Sequence, residues 1–164
     1  MLSDLTFRLT ELERRLANVL RLGIVYAADY PAARVRVKTG DLITGWLPWL
    51  THRAGGDRTW HAPEIGEQVL LLAPNGEPAQ GVVLPAIYRD AAPAPADSPD
   101  ISRTLYADGT VASYDRTTRT MTTTIDQTAI TATAQDMTLA VGGSSIHITP
   151  DAITAIAPVI NLNR

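Results

Sequence analysis

Three histidines are the residues of this 164-residue chain best suited to proton or metal chemistry. Two of them, His52 and His61, flank Arg53, Asp57 and Arg58 in the stretch THRAGGDRTWHAPE, which also holds Glu64. An imidazole beside carboxylates is a general acid–base unit, so His61, Glu64 and Asp57 are the set to weigh for catalysis. The stretch offers no nucleophile and no metal-ligand spacing, and Gly55–Gly56 predict a mobile loop. It reads better as a contact surface for a neighbouring subunit or partner protein, with Arg58 as a contact candidate. The third histidine, His147, lies between Ile146 and Ile148. Residues two apart on a strand share a face, so isoleucines turned inward send His147 outward, leaving it only a weak metal candidate. There is no cysteine, hence no thiol nucleophile, disulfide or cysteine zinc site. Lys38, Ser102, Ser113, Ser144 and Ser145 lack triad context, and Gly142–Gly143 precedes no helix that would make it a phosphate loop. The expectation is a protein that is not an enzyme and carries no cofactor.

The elements that would position these residues change character along the chain. Residues 1–21 predict a helix, with Ser3 as N-cap and Asp4 in the first turn. Leu2, Leu5, Leu9, Leu12, Leu16 and Val19 recur at alternating spacings of three and four, a narrow heptad-like seam. Leu5, Leu9, Leu12 and Leu16 are therefore candidates for self-association or partner docking, with packing on the chain's own domain as the alternative. Residues 22–89 alternate in short runs punctuated by Gly and Pro, as in RVRVKTG and GEQVLLLAPNGEPAQGVVLPAIY. About five short strands in so short a segment predict a compact barrel of the OB type. Trp46, Trp49 and Trp60 are expected mostly in its core, with Trp49 also an interface candidate. Residues 90–104, containing DAAPAPADSPD, predict an extended linker.

Residues 105–164 are different again. No aromatic residue follows Tyr114, and Thr, Ala, Ile and Val alternate in short strands after a turn at Asp108–Gly109. Met121 and Ile125 share one face of a strand, as do Leu139 and Val141, and Ile146 and Ile148. Ile130, Ile153, Ile160 and Leu162 continue the pattern. Each strand offers few and small apolar side chains. At about 25 cal/mol per Å² of buried apolar surface, one copy cannot offset the entropy of ordering its chain. Identical strands from three chains wrapped on one axis would supply the missing core, and residues this small fit a narrow interior. The fold class expected is mainly β, with an N-terminal helix, an OB-fold barrel and a C-terminal intertwined triple-stranded β-helix, or β-prism, in a homotrimer. A disordered tail is the competing reading.

The order of these parts, the barrel segment WHAPEIGEQVLLLAPNGEPAQGVVLPAIY and the terminal IHITPDAITAIAPVINLN resemble phage baseplate assembly protein V. That family forms the central spike of contractile phage tails and R-type pyocins and is related to the spike part of VgrG in type VI secretion. The resemblance implies a homotrimer in the tail baseplate of a virion or pyocin particle, made in the host cytoplasm without a signal peptide. Its barrel would attach to the hub protein beneath the tail tube, and its β-helix would pierce the host outer membrane when the sheath contracts. Many members hold iron near the tip through a His-x-His motif. Here Ile146–His147–Ile148 stands at that place, so iron is not expected, and the chain ends in an apolar plug or a face for a separate PAAR-like tip protein. A net charge of −3 gives no basic field for nucleic acid. Two other readings are a trimeric OB-fold module binding carbohydrate or another ligand, and a tail lysozyme, for which the linker leaves no room.

Overall fold

A computed structural model describes residues 2–161, with side chains described from Asp4 onward. The chain divides into two compact units, residues 1–93 and residues 94–164. The fold is mainly β, with one helix and two antiparallel sheets.

The first unit opens with α1 (Leu2–Val19), after which the chain turns directly into β1 (Leu20–Asp29). β2 (Arg34–Thr39), β3 (Leu42–Ile43), β4 (Gln68–Leu72) and β5 (Val82–Leu84) complete a sheet of order β3–β2–β1–β4–β5. Residues 47–50 close it. Leu47 exchanges both backbone hydrogen bonds with Val35 of β2, at 2.8 and 2.9 Å. On the other side Val83 of β5 donates to Pro48 and accepts from Leu50, at 2.9 and 2.8 Å. The sheet thus curls until its two sides meet through this short segment, giving the closed small barrel expected of an OB fold.

Period-two alternation makes the barrel core. In RVRVKT the valines and Thr39 point inward and the charged residues outward. Val25, Val35, Val37, Leu47, Val69, Leu71 and Val83 form one buried cluster. A bulge at Tyr26 of β1, between the Val25–Val37 and Ala27–Arg36 pairs, bends the strand as a barrel requires. Gly23 lies where β1 crosses the core so closely that a Cβ would come within 2.4 Å of Val37 Cγ1. The buried Thr44 hydroxyl accepts from Val37 N–H at 2.9 Å and donates to the Gly45 carbonyl at 2.8 Å, so its polarity is satisfied inside.

The second unit is a meander of seven antiparallel strands. They are β6 (Ile101–Leu105), β7 (Val111–Asp115), β8 (Thr120–Ile125), β9 (Thr128–Ala132), β10 (Met137–Val141), β11 (Ser144–Ile148) and β12 (Ile153–Ile156). Every neighbour in space is also a neighbour in sequence, so each connection is a tight hairpin. Asp126 and Gly142 take positive φ, at 47° and 54°, in the two-residue turns after β8 and β10. Asp115 Oδ1 accepts from the Thr117 and Thr118 N–H groups at 2.7 and 3.3 Å. The Thr117 N–H, then that of Thr118, hold the Asp115 carboxyl below the usual range. Thr133 and Thr149 fold back on their own turns, the former hydroxyl donating to Asp136 Oδ1 at 2.8 Å.

Three sequence expectations need correction. The segment 90–104 is not all linker: Ile101–Leu105 is a strand paired with β7 from Ile101–Asp115 to Leu105–Val111. Trp46 and Trp60 are exposed rather than in the core, Trp46 lying under the Arg36 guanidinium and Trp60 being 61% accessible. Only Trp49 packs against the buried cluster, and its ring meets that of Trp60 edge-on at 5.5 Å. The third correction concerns the Gly55–Gly56 stretch, which is not an open loop. Ala54 and Arg58 bridge, Thr59 N–H donates to the Arg53 carbonyl at 3.0 Å, and the Thr51 and Thr59 hydroxyls meet at 2.8 Å.

Candidate functional site

Cross-strand register decides which side chains of the seven-stranded sheet lie together, because directly paired residues share a face. One row runs Tyr114–Met121–Ala132–Met137–Ile148–Ile153 across six strands. The next runs Ala112–Thr123–Ile130–Leu139–Ile146–Ala155. A shorter third row joins Ile125, Thr128, Val141 and Ser144. Met121, Ile125, Ile130, Leu139, Val141, Ile146, Ile148 and Ile153 therefore occupy a single face. Ile160 follows the last strand and lines an open groove with Leu139, Val141 and Ile146, extending the same surface. Leu162 lies outside the described residues.

The opposite face is built from Thr120, Thr122, Thr124, Thr131, Thr138 and Thr154, together with Ala129, Ala140 and Ser145. Its burial runs against the usual order. Along β8, β10 and β11 the large apolar residues are the exposed ones, whereas their threonine, alanine and serine neighbours on the other face are half-buried. Among the described residues of this unit none is buried. An apolar face this continuous and this open is uncommon on a soluble monomer and marks an interaction surface.

His147 sits on the threonine face, between Thr138 and Thr154 in the register, with Nε2 3.7 Å from an Asp136 carboxylate oxygen. It is thus directed away from the isoleucines that flank it in sequence. Among the described residues no group of three or more His, Asp or Glu side chains is gathered as a metal site. In the 51–59 hairpin, Asp57 pairs with Arg53 at 3.3 Å and is well exposed, and no hydrogen bond joins it or Glu64 to His61. Arg58, at the end of the hairpin, is exposed. These residues have neither the enclosure nor the mutual contacts of an acid–base site.

A second open surface lies on α1. Glu11 holds Arg14 and Arg15 at 2.8 and 2.7 Å, and Arg14 reaches Glu77 at 3.5 Å. The two arginine hydrogen bonds, Arg14 first, bring the Glu11 carboxyl down to about 2. Gly76, at φ 71°, lets the turn pass against the helix backbone, where a Cβ would lie 2.3 Å from the Arg15 carbonyl oxygen. With that side of the helix docked, Leu5, Leu9, Leu12 and Leu16 face away and stay 56–76% exposed. No described helix is long and apolar enough to cross a membrane.

Sequence reasoning placed the apolar alternation but omitted Met137 from it. Met137 stands two residues before Leu139 and pairs with Ala132 and Ile148, so the same period-two count includes it. The exposed Phe7 on α1 carried no sequence signal, because it falls outside the leucine seam.

Residues 21–88, which span the barrel, match the type VI secretion system/phage-baseplate injector OB domain family. The chain is also 44% identical over 131 residues to the spike protein of Escherichia phage P2. That similarity takes in 80% of this chain and 62% of the phage protein's length.

Proposed function

We propose that this chain, whose barrel matches the injector OB domain family and which is similar to a phage spike protein, is itself the structural spike of a contractile tail baseplate and not an enzyme. One observation carries the reading: a seven-stranded sheet without a buried residue turns a continuous apolar face to solvent, and it follows an injector-type barrel. Three copies assemble with these faces toward a common axis, where Met121, Ile125, Ile130, Leu139, Val141, Ile146, Ile148 and Ile153 form a shared core and Ile160 extends it. Small and flexible side chains suit a narrow interior, and the threonines face water. Closing the sheet around an axis also covers its two edge strands, β6 and β12, which would otherwise stay free to pair with other chains.

In this arrangement the three sheets form a β-helical needle within the tail of the particle, and the barrels join it to the hub beneath the tail tube. Trp49, Arg58 and the leucines of α1 are the candidates for subunit and hub contacts. Sheath contraction drives the needle through the host outer membrane. Axial load would be spread over many ladder hydrogen bonds and interlocked side chains at once. In this arrangement His147 lies on the outer face of the sheet, away from any shared axial metal.

Sedimentation equilibrium on the full chain tests the assembly: the expected mass is three times 17.6 kDa, and a monomer at micromolar concentration would remove the needle. Particles carrying a chain that lacks residues 120–164 are expected to lose killing or infection. Full activity of such particles would end the piercing role.

A further inference from the structure

The heptad frame that makes the leucine seam also assigns the charges beside it. With Leu9 and Leu16 at a, and Leu5, Leu12 and Val19 at d, Arg8 and Arg15 fall at g and Glu13 at e. Arg15 is engaged by Glu11 of its own helix, whereas Arg8 and Glu13 make no ion pair or hydrogen bond among the described residues. In a parallel coiled coil a g residue faces the e residue of the following heptad on its neighbour, five positions further on. Arg8 and Glu13 stand in that relation. An antiparallel pairing would instead set g against g and bring arginines together.

The barrel leaves room for such a partner. It meets α1 through Arg14, at position f, against Glu77 and through the helix backbone at Arg15 against Gly76, while the a and d leucines stay exposed. We propose that α1 packs against the α1 helices of two further copies of this chain as a parallel three-helix coiled coil, with Arg8 of each helix paired to Glu13 of the next. The inference rests on the trimer proposed above. A helix of two and a half heptads is too short to associate strongly alone, and leucine at both a and d does not set the number of strands. Tethering to a trimeric sheet supplies both the local concentration and the number.

The chain has no native cysteine, which permits single-site cross-linking in the full-length protein. Leu9→Cys places identical thiols together only if the helices run parallel and in register, while Phe7→Cys, at position f, points outward. Under mild oxidation Leu9→Cys is expected to form covalent dimers at least about tenfold faster than Phe7→Cys, as the tethered concentration at the seam dictates. Arg8→Glu in the Leu9→Cys background is expected to slow that reaction several-fold, and adding Glu13→Arg to restore it. A protein that sediments as a trimer but cross-links equally at both positions would overturn the coiled coil alone and give the seam to a different partner. Rapid cross-linking at Leu9→Cys that ignores both charge changes would overturn the Arg8–Glu13 pairing. A monomer would overturn the coiled coil together with the trimer beneath it.

Discussion

Replacing Leu139 by aspartate separates a sheet that is complete by itself from one that needs two further copies. Leu139 stands mid-row between Ile130 and Ile146 and remains 38% exposed in the single chain. Full burial of a leucine is worth about 1.5–3 kcal/mol, so covering that remaining 38% amounts to about 0.6–1.1 kcal/mol per chain and about 2–3 kcal/mol per trimer. Leu139→Asp forfeits this and adds a carboxylate whose burial costs several kcal/mol, three times over around one axis. The sum, on the order of 10 kcal/mol or more, is comparable to the whole stability of an ordinary domain. In a sheet that works alone the same aspartate would stay partly in water and forfeit only the burial already present, about 1–2 kcal/mol. Ala140→Asp is the matched control, since it lies on the same strand but on the threonine face, and its expected cost is the strand-propensity term of about 1 kcal/mol. The assay is sedimentation with thermal unfolding at several protein concentrations. Loss of the trimer in Leu139→Asp with its retention in Ala140→Asp is the expected result. Equal effects of the two variants, or a Leu139→Asp trimer of unchanged Tm, would refute the axial assignment of this face.

Three further outcomes follow from the barrel and its helix. Leu71→Ala, at a fully buried position, should lower stability by about 2–5 kcal/mol in denaturant unfolding of the barrel; a loss under 1 kcal/mol would contradict the assigned core. Gly76→Ala meets a left-handed backbone penalty of about 1–2 kcal/mol and a contact at 2.3 Å with Arg15. It should release α1 from the turn, read as faster amide exchange in the helix with barrel amides unchanged. Glu11 has a carboxyl lowered from 4.5 to about 2, so its contacts with Arg14 and Arg15 favour the folded helix above the unfolded value and are lost only as pH falls toward about 2. An NMR titration of Glu11 with a midpoint of 4 or higher would show that Arg14 and Arg15 do not hold it.

The features that sequence conveyed are those set by period and by turn chemistry. RVRVKT alternates because one side of β2 lies in the core, and the leucine spacing of α1 is helical whatever it packs against. Features that depend on distant partners were not legible. Nothing in ISRTL announces a strand, and it becomes one because Ser102 and Thr104 find Tyr114 and Ala112 across the hairpin. Trp46 and Trp60 look like core residues by type, yet the barrel interior is already filled by valines and leucines, which leaves room for Trp49 alone against the cluster. The two glycines of the 51–59 hairpin suggested freedom, whereas Thr51 and Thr59, eight residues apart, tie its ends. Of the candidate site, the alternation of small apolar residues was readable, but the alignment of eight of them on one face depends on register, which a sequence does not state.

The two units solve the problem of burial differently, and this bears on how the protein assembles. The barrel closes on itself through residues 47–50 and encloses seven apolar side chains, so each copy carries its own stabilising core. The meander has two uncompensated features, an apolar face and a pair of open edges, and each is an aggregation hazard in an isolated chain. A cyclic arrangement of three chains removes both together, because the rotation that turns the apolar faces inward also brings the edge of one sheet toward the next. The alternatives remove only one: stacking two sheets face to face would cover the isoleucines and leave four edges, while pairing edge to edge would leave the isoleucines in water. Barrels that fold singly and sheets that order only on association would therefore make assembly concentration-dependent. Dilution should lower the unfolding temperature of the sheet and leave that of the barrel in place.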